Sequence, residues 1–224
     1  MRAKTKMLLA VLVMILTAGC ATYNTQGAVP MMGRIPQNQL GVVEKDGLSI
    51  SVYPVKTEEE AKRYFDDNLL DDGILAVYFV LANKTSNSFN IDALTLKTDE
   101  GVVVSSLALD LVYDAVKKDY VWRAGLWGAG TGMAGLTISL FHTRSVNKDV
   151  KADIRAKSIE SSSKEIKPLD TVQGFSWFKL PDKIAEDKKG VNGLPKGMVL
   201  NLSLESAPEK KLVKYEIPIS DLTD

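Results

Sequence analysis

The sequence predicts a mainly β domain of about seven strands with a helical insertion, an α+β architecture, and three patterns predict it. Short runs alternate apolar with polar residues at both ends of the chain. Between them the apolar spacing lengthens to three and four residues, and an uncharged, Gly-rich stretch follows. These periods cannot belong to one kind of element, because side chains repeat every two residues on a strand and every 3.6 on a helix.

Leu48, Ile50 and Val52 alternate with Ser49, Ser51 and Tyr53, which predicts a half-buried first strand over 48–55. Thr57 and Glu60 then have capping-box spacing, and Ala61, Tyr64, Phe65 and Leu69 share one helical face. The run ILAVYFVLA, 74–82, is apolar throughout and rich in β-formers, as a strand buried on both faces requires. Residues 89–97 alternate again, and Asp99-Glu100-Gly101 turns the chain into a fourth, short strand at 102–104. Ala108, Leu111, Val112, Ala115, Val116 and Tyr120 predict an amphipathic helix, and Val146, Val150 and Ile154 predict another. Lys167-Pro168-Leu169-Asp170 turns the chain into 171–180, where Val172, Phe175, Trp177 and Leu180 are core candidates. After a polar loop at 181–197, residues 198–204 and 212–219 form a hairpin. Together these elements predict an immunoglobulin-like β-sandwich over 47–220, interrupted at about 107–160 by the Gly-rich helical segment.

The N-terminus has a separate logic. Arg2, Lys4 and Lys6 precede Met7–Ile15, an apolar run long enough for an export signal and too short to span a bilayer. Leu16-Thr17-Ala18-Gly19-Cys20 follows and resembles the lipobox of bacterial lipoproteins, although Thr17 stands where that family more often has Leu. Small Ala18 and Gly19 admit an extended backbone to a peptidase, and the Cys20 thiol can be alkylated by a diacylglyceryl group. The resemblance implies a signal peptide at 1–19, cleavage before Cys20, and a lipid anchor with a tether over 20–46. Ala21, in place of the Asp typical of inner-membrane retention, implies an outer membrane facing the periplasm where the host has one. Cys20 is the only cysteine, so no disulfide forms within the chain.

A second resemblance rests on looser motifs. Phe65 through Asn83, with Gly73-Ile74 leading into an apolar strand, is similar to a pattern in bacterial envelope lipoproteins of no assigned activity. So are Asn147, Asp153 and Lys157 after a Gly-rich stretch, followed by Pro168, Gly174-Phe175 and Phe178.

The segment 124–141, AGLWGAGTGMAGLTISLF, carries no charge and five glycines. Each glycine costs a water-exposed helix about 1 kcal/mol, so something must support it. Ala124, Gly128 and Gly132 form a small-xxx-small face suited to close helix approach. Three readings are open: packing within the chain, insertion at a membrane, or helix pairing between copies.

Composition excludes several activities. With 28 basic and 28 acidic residues, loss of Arg2, Lys4 and Lys6 leaves the mature chain faintly acidic, which argues against nucleic acid. His142 is the single histidine and lacks motif partners for a zinc site. Asp66, Asp67, Asp71 and Asp72 miss the spacing of a calcium loop and read as a solvated face, with a metal site as the alternative. Gly174-Phe175-Ser176-Trp177-Phe178 is not a nucleophile elbow, and no phosphate-cradling loop occurs. The expectation is a non-catalytic envelope lipoprotein without cofactors. Its partners are a membrane, through the lipid, and other envelope proteins or further copies of itself. The alternative makes 124–141 a membrane-inserting or oligomerising element, and a hydrolase with an unrecognised site is a third.

Overall fold

The computed structural model describes residues 27–117, 146–159, 165–182, 197–207 and 209–219. The chain divides into two compact units, Thr25–Val116 with Asp153–Asp224, and Met1–Asn24 with Lys117–Ala152. Of the latter, the described residues are Lys117 and 146–152.

The first unit is mainly β. Its described strands are β1 (Gly41–Lys45), β2 (Leu48–Pro54), β3 (Ile74–Asn83), β4 (Ser88–Lys97), β5 (Val103–Ser105), β6 (Glu165–Ile166), β7 (Thr171–Lys179), β8 (Val199–Ala207) and β9 (Lys211–Pro218). Helices α1 (Glu58–Phe65) and α2 (Leu109–Val116) interrupt them, and residues 146–157 are helical too (α3). The pairing among these strands is antiparallel, in one sheet ordered β1-β2-β3-β7 and another ordered β5-β4-β8-β9 with β6 added to β4.

One apolar cluster lies between the sheets. Leu75, Val77, Phe79 and Leu81 of β3 meet Leu200, Leu202 and Leu204 of β8 and Tyr215 and Ile217 of β9. The alternate residues of β8 and β9 face outward, where Lys214 and Glu216 are exposed. In β3 the alternate residues Ile74, Ala76 and Tyr78 are buried as well. The reason is α1, whose Tyr64 and Phe65 rings cover the outer face of the first sheet. A continuous apolar strand thus occurs in an antiparallel sheet because a helix seals the side that water would otherwise wet.

The predicted cap of α1 is present. Thr57 accepts from the Glu60 N–H at 3.2 Å, and the Glu60 carboxylate accepts from the Thr57 N–H at 3.3 Å. The helix ends earlier than the apolar spacing predicts, because Asp66 takes a left-handed conformation (φ 58°) and donates its N–H to the Lys62 carbonyl. Leu69 is buried from the following turn rather than from the helix face. Val146, Val150 and Ile154 are buried as their spacing predicts. On α2, however, Leu111 is 56 % exposed, and Val112 and Val116 carry the buried face.

The tether over 20–46 needs correcting at its C-terminal end. Gly41–Lys45 is β1, paired with β2 in a register that closes at Lys45 and Leu48. Asp46 (φ 53°) and Gly47 (φ 75°) form the two-residue turn, both at the positive φ that a type I′ hairpin requires. Two 3-10 turns, Met32–Arg34 and Gln37–Gln39, precede it.

Candidate functional site

The most chemically loaded place among the described residues is a buried ion pair. Asp153 and Lys157 stand four residues apart on α3, and their side chains form a salt bridge almost wholly removed from water. The Lys157 ammonium also donates to the Tyr64 carbonyl at the end of α1, at 2.6 Å. It lies 5.7 Å from the Phe65 ring centroid, within cation–π range. Asp153 in turn accepts the Gly27 backbone N–H at 2.8 Å. Burial pulls the Lys157 ammonium below the ordinary lysine range, against the opposing pull of the Asp153 carboxylate.

Aromatic rings wall the pair on the sheet side. Phe175 packs edge-on against Phe65, with centroids 5.0 Å apart, and lies 4.9 Å from Tyr78. Trp177 stacks beside Phe175. Beyond Lys157 the chain runs along β7, where Ser158 bridges Phe175. Gly174 makes that approach possible: a Cβ there would meet the Ile159 nitrogen at 2.5 Å and the Lys157 carbonyl oxygen at 2.8 Å. Both are backbone atoms, so no side-chain rotation relieves the clash.

A second node holds the turn between β3 and β4. Asn83 is 2 % exposed and donates to the carbonyls of Asn87 at 2.7 Å and Lys167 at 2.9 Å. Its side-chain oxygen accepts from the N–H and hydroxyl of Thr85. Asp153, Lys157, Gly174 and Asn83 all belong to the looser sequence motifs, and each organises a junction between segments distant in sequence. The arrangement fastens the segment at Gly27, α1, residues 153–159 and β7 to one another. Lys157 is enclosed, and Ser176 is 2 % exposed within β7.

Cys20, His142 and the face of Ala124, Gly128 and Gly132 lie outside the described residues. Asp66, Asp67, Asp71 and Asp72 are placed, but among the described residues no three metal-binding side chains converge. Asp66 caps α1, and the Asp67 carboxylate accepts from the Asn68 N–H at 2.8 Å. Among the described residues no helix is long and apolar enough to cross a membrane. The Asp153–Lys157 pair was visible as an i, i+4 pair, yet that spacing ordinarily marks a solvated helix face. Only the covering by α1, β7 and the chain at Gly27 makes it a buried junction. No protein-family model and no curated protein matches the chain.

Proposed function

We propose that this chain is a non-catalytic cell-envelope lipoprotein, in which a lipid on Cys20 holds an immunoglobulin-like β-sandwich at a membrane as an interaction module. The observation that carries the proposal is the order of parts at the N-terminus. A basic and apolar leader ends in LTAGC, and only seven residues later Gly27 is already hydrogen-bonded to the sandwich through Asp153. Ala21 favours the outer membrane of a host that has one.

The strand order supports the immunoglobulin-like assignment. β2, β3 and β7 take the places of strands A, B and E, and β5, β4, β8 and β9 those of C′, C, F and G. The helical insertion then falls between C′ and E. The non-catalytic reading is supported by how the reactive groups are used, because Lys157 and Ser176 are enclosed in packing. Partners are other envelope proteins or further copies of this chain, met at the membrane surface.

The test is mass spectrometry of the N-terminal peptide of the mature protein together with metabolic labelling by a radioactive fatty acid. A diacylated or triacylated Cys20 at the new N-terminus is the expected result, with label absent from Cys20→Ala. An unmodified Cys20 thiol overturns the proposal.

A further inference from the structure

The side of the sandwich that carries Gly27 and Asp153 is held near the bilayer, we infer, and the outward-facing corner of β9 around Lys214 is held away from it. The inference rests on the lipid at Cys20 and adds an orientation to it. Seven residue steps separate Cys20 from Gly27, a span of at most about 25 Å when fully extended. No slack follows, because the Gly27 N–H is bonded to Asp153, whose side chain is 2 % exposed. Pro30 is also buried. A domain of this size has a radius of gyration of about 15 Å and is about 40 Å across. A point diametrically opposite Gly27 therefore cannot touch the surface in which Cys20 is anchored.

The fold identifies that opposite point. Ser158, just after Lys157, bridges Phe175 of β7, which places this part of α3 at the β7 side of the first sheet. The β7 side lies over β5, since Ser106 bridges Phe178. β9 lies at the other side, under β1: the Tyr215 hydroxyl donates to the Lys45 carbonyl, and Gly41 stands close against Ile217. Lys214, outward on β9, is thus diagonally across the sandwich from Asp153. The partner of the Gly27 side is a lipid surface, and the polar face around Lys214 is left to the aqueous compartment.

Lipidated full-length protein carrying a spin label at Arg155→Cys or at Lys214→Cys tests this; both positions are exposed. It would be bound to phosphatidylethanolamine and phosphatidylglycerol vesicles containing a nickel-chelating lipid. The expected result is relaxation enhancement at residue 155 at least threefold greater than at residue 214. Equal values, or a reversal, in protein whose Cys20 is shown to be acylated overturn the orientation alone. Absence of acylation overturns the lipoprotein reading and this inference with it. Inserting twenty Gly-Ser residues between Ala21 and Thr22 should remove the contrast without changing the fold. A contrast that persists with the long linker shows that tether length is not its cause, and overturns the argument.

Discussion

Asp153 and Lys157 form an ion pair one helical turn apart with only 2 % of each side chain exposed, at a junction of segments up to 126 residues apart in sequence. Removing one partner of a buried ion pair typically costs about 3–5 kcal/mol. Lys157→Met is therefore expected to lower unfolding stability by that order in urea denaturation. Pairing it with Asp153→Leu should recover part of the loss, because no charge is then stranded, although the Gly27 N–H loses its acceptor and the Tyr64 carbonyl its donor. A double variant less stable than Lys157→Met would contradict this account.

Gly174→Ala should destabilise the protein by about 1–3 kcal/mol, the usual range for overpacking. Its methyl group would collide with the backbone of Lys157 and Ile159. Gly33→Ala is the control, since a Cβ at Gly33 meets nothing within 4 Å and its φ is not positive. Unfolding midpoints of the two variants should separate clearly, with Gly33→Ala near wild type.

The strands were legible where one period held over several residues. β2, β3 and β7 follow their apolar patterns, and the Thr57–Glu60 cap announced α1. β1 was hidden because five residues with one buried position give no periodic signal. Asp46-Gly47, a strong hairpin dipeptide, was the signal that could have found it. β6 is two residues long and exists only as a partner of Phe89 and Asn90. The buried junction was legible in residue identity, through Asp153, Lys157 and Gly174, but not in chemistry. Whether an i, i+4 pair is wet or dry depends on what the fold lays across it.

Stability at high pH should reveal Tyr215. Its phenol is pushed up to about 12, chiefly by burial and secondarily by the nearby Asp46 carboxylate. The folded state then holds the proton more tightly than the unfolded chain, whose tyrosines titrate near 10. The contribution is complete below about pH 10 and is lost as pH rises toward 12. Burial raises Tyr64 and Tyr78 as well, so all three add to the decline. Tyr215→Phe should reduce the fall in unfolding stability between pH 9 and 11 relative to wild type. An unchanged slope would show that Tyr215 does not contribute.

The described members of the apolar cluster between the sheets all come from Thr25–Val116 and Asp153–Asp224. Replacing 124–141 by a short Gly-Ser linker removes none of those side chains, and loop length adds little, since doubling a flexible loop costs only about 0.6 kcal/mol. The shortened protein is therefore expected to unfold cooperatively with a midpoint close to wild type in urea. If the Ala124, Gly128 and Gly132 face pairs copies, light scattering of the detergent-solubilised protein should fall from an oligomer to a monomer on excision. A loss of cooperativity would instead assign the Gly-rich segment to the support of the sandwich, because a stretch needed only for association can be removed without loosening the core.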